Sequence, residues 1–163
     1  VEIERDERGR ILGAKLAAPH RPCLAIVGDG GFTMTPHVLA TAVEYDIPAV
    51  WLVWNNFTWG AIRDIQLGMF GGREIGTSFH AGPDRAPYNP DFAAMARSYG
   101  VEGITVQHSD QLGDALRHAM ALGKPCLLDV HVDAGPKPPS TGTWQLPPTQ
   151  HREPAFGKPV VIR

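Results

Sequence analysis

An open parallel α/β sheet with helices on both faces is the fold this sequence predicts. Three observations predict it. Short apolar runs rich in Val, Leu, Ile and Cys recur along the chain. Segments with helical apolar spacing separate them, and capping or turn residues mark the junctions. The 163 residues, 43% hydrophobic and 20% charged, suit one domain with a sizeable core and exclude wholesale disorder or a collagen-like repeat. Fifteen Lys and Arg against 17 Asp and Glu leave a formal charge of -2, which offers no electrostatic case for nucleic acid or a membrane surface. No apolar run approaches the roughly 18–20 residues of a spanning helix, and the first residues are too charged to read as a signal peptide. Cys23 and Cys126 stand singly beside apolar runs, as small buried hydrophobes of a cytoplasmic protein would, rather than in a disulfide or CxxC pattern.

Residues 1–10 carry seven charges and no hydrophobic period, and are expected to form a solvated lead-in. Ile11–Ala18 reads as the last turns of a helix stopped by Pro19. The expected strands are Leu24–Val27, Ala49–Trp54, Ile104–Val106 and Cys126–Val132. Helical spacing relates Val38, Leu39, Ala42 and Val43, and again Trp59, Ile62, Ile65 and Met69. It returns in Phe92, Met95, Ala96 and Tyr99, and in Leu112, Ala115, Leu116, Ala119 and Met120; the aromatic and Met stripes are expected to face the core. Thr35-Pro36, Asn89-Pro90 and Ser109-Asp110 are the expected helix starts, and Gly123 with Pro125 the expected stop of the last helix. Gly71–Tyr88 is Gly-rich, mixed in charge and without a period, as a poorly ordered lid loop or surface excursion would be. The domain is thus expected over residues 11–133, with 134–163 an extended Pro-rich C-terminal tail anchored by Trp144, Leu146 and Phe156.

The segment Ile26-Val-Gly-Asp-Gly-Gly-Phe32 places Asp29 between glycines at the carboxyl end of a strand, the edge where open α/β sheets bind ligands. Glycine there lets the backbone approach a phosphate closely. No GKS or GKT follows, which excludes a P-loop, and Thr33 breaks the GxGxxG spacing. The second strand ends in Asn55-Asn56, so adjacent parallel strands would set these amides beside Asp29. A carboxylate and an amide oxygen suit a hard cation that keeps phosphate and water as other ligands, hence Mg2+. Backbone N–H groups of Trp59, Gly60 and Ala61 at the next helix start could hold the phosphates. A haloacid-dehalogenase-type metal loop is the competing reading, and it lacks its DxDxT strand here. His20, His37 and His80 read as surface or loop residues, and Arg63 and Gln66 as a solvated helix face.

Gly28-Asp29-Gly30, 24 further residues and then Asn55-Asn56 resemble the diphosphate-binding motif of thiamine-diphosphate enzymes. Ile11–Pro19, Thr41-Ala-Val43 with Ile47-Pro48, and Asp129–Asp133 extend the resemblance to the C-terminal domain of acetolactate-synthase-like members. The resemblance implies thiamine diphosphate and Mg2+ as cofactors. Asp29, Asn56 and the main-chain carbonyl of Thr58 would hold the metal; Gly28, Gly30, Gly31, Trp59, Gly60 and Ala61 would line the diphosphate. It implies a carboligase or decarboxylase acting on a small 2-keto acid, in which the cofactor carries the carbon chemistry. No catalytic side chain of this chain is implied. Family members precede Ile11 with a Gly-rich segment bearing a bulky residue that bends the cofactor, and residues 1–10 do not match it. They also carry a pyrimidine-binding domain whose glutamate activates the cofactor, and 163 residues leave no room for it. The expectation is therefore half an active site, on a fragment or one chain of a larger homo- or hetero-oligomer. The alternative is a split-subunit or non-catalytic diphosphate-binding module acting through a partner chain.

Overall fold

The computed structural model describes residues 10–135 in full and residues 2–4 at the level of the backbone. The expected tail therefore lies, beyond Gly135, outside the described residues. The sheet grows from four strands whose residues alternate between two apolar faces. They are β2 (Cys23–Gly28), β3 (Val50–Asn55), β6 (Glu102–Val106) and β7 (Cys126–His131), with β1 (Glu2–Glu4) beside them, in the order β1-β2-β3-β7-β6. Every neighbouring pair in this sheet is parallel.

Cys23, Ala25, Val27, Trp51, Val53 and Leu127 form one core. Against them pack Ile11 of α1 (Arg10–Ala17), Phe32 of α2 (Asp29–Thr33), Leu39 of α3 (Val38–Glu44) and Phe92 of α5 (Phe92–Ser98). The intervening residues Leu24, Val50, Leu52, Cys126, Leu128 and Val130 form a second core with α6 (Ser109–Ala121). Both faces are thus covered, as the apolar runs predict. The α5–β6 crossing is so close that a Cβ on Gly103 would stand 2.1 Å from the Ala93 carbonyl oxygen, so only glycine fits there. Both cysteines are free and buried; burial first, and then the Glu102 charge, pushes the Cys126 thiol up to about 12. No described helix is long and apolar enough to cross a membrane.

Local chemistry departs from the sequence expectations at several places. Glu2–Glu4 pairs in parallel with Cys23–Ala25, so part of the expected lead-in is an edge strand. Its charged residues gave no apolar period to read. A helix starts directly at Asp29, earlier than the Thr35-Pro36 signal, and α3 begins only after His37 without a side-chain cap. Asp91, not Asn89, caps α5 by accepting from the Ala94 N–H at 2.7 Å. His108 with Gln111 forms the capping box of α6, so Ser109 lies one position inside. Gly123, at φ 67°, closes α6 as expected.

The largest difference is α4 (Gly60–Met69), none of whose residues is buried. Trp59, Ile62, Ile65 and Met69, expected in the core, are 40%, 50%, 40% and 74% exposed. The period is real, but of this face only Trp59 meets another ring, that of Phe79 at 5.6 Å, and Ile62, Ile65 and Met69 stay exposed. The expected excursion after α4 contains a small antiparallel ribbon, β4 (His80–Ala81) with β5 (Ala86–Pro87). Its stem is held by Thr77, which is buried.

Candidate functional site

Register places the site. Gly28 of β2 pairs with Trp54 of β3, and Asn55 pairs with His131 of β7, so three carboxyl ends finish flush. From β2 the chain turns at Gly28 straight into α2, which buries Asp29 to 4% exposure. Asp29 Oδ1 accepts from the Gly30 N–H at 2.7 Å, and Oδ2 from the Asn89 side-chain nitrogen at 2.6 Å. Burial is the largest influence on this carboxyl and raises its pKa; the Gly30, Asn89, Thr58 and Phe57 donors oppose the shift in that order. The group is therefore a costly buried charge that gains from a nearby positive partner.

The turn after β3 supplies that neighbourhood. Asn55 is 1% exposed; its Nδ2 donates to Asp129 Oδ1 at 2.9 Å, and its Oδ1 accepts from the Phe57 N–H at 3.2 Å. Phe57 adopts φ 59°, a left-handed conformation unfavourable for a bulky residue, and packs edge-on to His131 at 5.0 Å. This turn aims the Asn56 side chain back at the end of β2. The terminus of Asn56 lies 2.6 Å from the Thr58 carbonyl oxygen and 3.3 Å from Asp29 Oδ2. With its nitrogen turned there, the amide donates to both. With its oxygen there, it accepts from the Thr58 N–H at 3.3 Å and faces the Thr58 carbonyl and Asp29 Oδ2 oxygens, a contact that a cation would relieve. Those separations bracket the ~2.9 Å edge of an octahedron of oxygens at about 2.0–2.1 Å from a Mg2+ ion. Carboxylate, amide and carbonyl oxygens are a hard-cation donor set. Among the described residues, no cluster of three or more His, Cys, Asp or Glu side chains offers a competing metal site.

Thr58 is buried and clamped from the excursion. Its hydroxyl donates to the Thr77 carbonyl at 2.7 Å, and the Trp59 N–H donates to the same oxygen at 2.8 Å. Thr77 is held in turn by Glu74, which pairs with Arg63 at 3.0 Å, while Gln66 brackets the Ile75 backbone. Arg63 and Gln66 thus tie a loop to α4, where a solvated face was expected. The Ser78 hydroxyl first, with Arg63 behind it, holds the Glu74 carboxyl below its ordinary range.

The structure brings Gly28, Asp29, Gly30, Gly31, Asn56, Thr58, Trp59, Gly60 and Ala61 to this one edge. One expectation is corrected: the N–H groups of Trp59 and Gly60 are already donated, to Thr77 and Thr58 carbonyls at 2.8 Å each. Trp59 instead presents its indole, against which a Cβ on Gly30 would collide at 2.6 Å. Sequence reasoning gave no site role to Asn89, Thr77 or Asp129. Asp129 carried a usable signal, since a lone carboxylate in the apolar run Cys126–His131 must find buried partners. It finds Asn55 and the Phe92 N–H, the latter at 3.2 Å. Clefts of about 420 Å³ and 460 Å³ flank the turn, the first beside Asn55, Asn89 and His131, the second beside Asn56, Thr58 and Ser78. His20, His37 and His80 are exposed.

Residues 9–130 match the family described as thiamine pyrophosphate enzyme, C-terminal TPP binding domain. A probable acetolactate synthase large subunit of Methanocaldococcus jannaschii is 37% identical over 122 residues, 75% of this chain and 20% of that protein. A probable 2-ketoarginine decarboxylase of Pseudomonas aeruginosa is 46% identical over 107 residues, 65% of this chain and 18% of that protein. Among solved structures, a thiamine diphosphate-dependent 4-hydroxybenzoylformate decarboxylase from Rhodococcus jostii RHA1 superposes with a TM-score of 0.67 at 30% identity. That match covers 76% of this chain and 22% of the other. The chain spans about one fifth of the length of the curated relatives it matches.

Proposed function

The chain belongs to the C-terminal TPP-binding domain family of thiamine pyrophosphate enzymes, and from that premise we propose that it holds the Mg2+–diphosphate end of thiamine diphosphate. Asp29 Oδ2, the Asn56 side-chain oxygen and the Thr58 carbonyl are the protein's metal ligands in this reading. The observation that carries it is their convergence at 2.6 and 3.3 Å around the Asn56 terminus. Gly28, Gly30, Gly31, Trp59, Gly60 and Ala61 border the diphosphate, with Gly30 kept bare so that the Trp59 indole can lie against α2.

When bound, the cofactor supplies a nucleophilic thiazolium carbon that adds to a 2-keto acid and permits loss of CO2. This chain's own residues bind and orient. Asp29 neutralises the ion, the Asn55–Phe57 turn aims Asn56, and Thr77 fixes Thr58. The proposed enzyme is a carboligase or decarboxylase of the acetolactate synthase type. Its pyrimidine-binding domain lies on another chain or elsewhere in the same protein. The bare α4 ridge of Ile62, Ile65 and Met69 supports a partner surface of that kind.

Calorimetric titration with thiamine diphosphate tests the reading. Binding is expected with Mg2+ and is expected to vanish with chelator, while unphosphorylated thiamine binds in neither case. Equal binding with and without chelator contradicts it.

A further inference from the structure

Asn89 reaches across the chain to the site, 60 residues from Asp29 and 34 from Asn55. Its side-chain nitrogen donates to Asp29 Oδ2 at 2.6 Å and to Asn55 Oδ1 at 2.9 Å. One amide nitrogen carries two N–H groups, so it can join two acceptors that would otherwise face each other without a proton between them. The Gly30 N–H holds the other Asp29 oxygen, so the carboxylate is pinned at both ends. Asn55 is pinned in the same way, by Asp129 on its nitrogen and by Phe57 on its oxygen. Helix capping does not explain the residue, because Asp91 fills that role for α5. Pro90 follows directly and biases Asn89 away from helical backbone, which keeps its side chain outside α5.

From these contacts we infer that Asn89 is a positioning residue of the cation site. It sets the plane of the Asp29 carboxylate and, through Asn55, the turn that carries Asn56 and Thr58. The inference rests on the reading of Asp29, Asn56 and Thr58 as metal ligands. Asn89 touches neither the ion nor the diphosphate in this account; it acts through Asp29 and Asn55.

The test uses Mn2+ as the probe, titrated into the chain with thiamine diphosphate present and read by electron paramagnetic resonance. Asn89→Ala is expected to weaken Mn2+ binding by roughly 10–100-fold, the range typical of a hydrogen-bonding partner one step removed from a metal. Asp91→Ala, which uncaps the same helix, is the control: it lowers the melting temperature and leaves Mn2+ affinity unchanged. In the metal-free chain, Asn89→Ala is expected to move the Gly30 and Phe57 amide resonances, and Asp91→Ala to leave both in place. Affinity equal to wild type in Asn89→Ala overturns the inference alone. So does a loss of affinity in both variants that merely follows their loss of stability, or Gly30 and Phe57 resonances that do not move. A wild-type chain that binds no Mn2+ contradicts the metal-ligand reading itself, and the inference with it.

Discussion

Asp29→Ala is expected to lower Mg2+-dependent retention of thiamine diphosphate by more than ~100-fold, beyond the roughly 10–100-fold seen when a ligand's supporting partner is lost. The substitution removes the proposed site's only charged oxygen donor and leaves the Asn56 terminus facing the Thr58 carbonyl alone. Its effect on the metal-free fold should be small and can be reasoned by sign. Burial raises the Asp29 pKa in the folded chain, so the ionised carboxylate opposes folding. The stability linked to its neutral form is present below the unfolded pKa and is lost as pH rises through the raised folded value. The ionised form is therefore a cost that a cation relieves, and alanine removes it along with the hydrogen bonds from Gly30, Asn89, Thr58 and Phe57. Equilibrium dialysis of wild type and variant, with melting curves recorded without metal, checks both halves. A variant that retains the cofactor as well as wild type defeats the assignment of Asp29.

The second large effect concerns turnover. Incubated alone with Mg2+, thiamine diphosphate and pyruvate, this chain is expected to release no CO2 above the protein-free background. A positioned acid–base group supplies about 10²–10⁴-fold in such proton transfers, and three titratable groups near the site, Asp129, Glu74 and His131, are otherwise committed. Asp129 is held by Asn55 and the Phe92 N–H. Glu74 is bound to Arg63 and Thr77, and His131 packs against Phe57. Cofactor-dependent CO2 release by the chain alone would place a working acid–base group within these residues.

The parts of the fold read from sequence are those in which apolar spacing and burial coincide. Leu24–Val27 and Cys126–Val132 were legible as strands because helices cover both faces of the sheet there. The Asp29/Asn56 pair was legible because two parallel strands of known direction had to end together. Where the reading failed, one local signal had two uses. Asn89-Pro90 looks like a helix start, but Asp91 two residues on takes the cap and leaves Asn89 for the site. The Trp59–Met69 stripe has the period of a core helix, and the same spacing serves a helix whose apolar residues stay exposed, as Ile62, Ile65 and Met69 do. The left-handed Phe57 and the Thr77 clamp on Thr58 left no mark in composition or period, because both depend on contacts made only after the strands assemble.

The convergence of Asp29, Asn56 and Thr58 on one cation is the claim on which the functional reading depends. Anomalous diffraction from crystals grown with Mn2+ and thiamine diphosphate tests it most directly. The account predicts one strong metal peak in contact with Asp29 Oδ2, the Asn56 side-chain oxygen and the Thr58 carbonyl oxygen, with diphosphate oxygens completing the shell. Bound diphosphate without a metal peak there, or a peak ligated by other side chains, would contradict it.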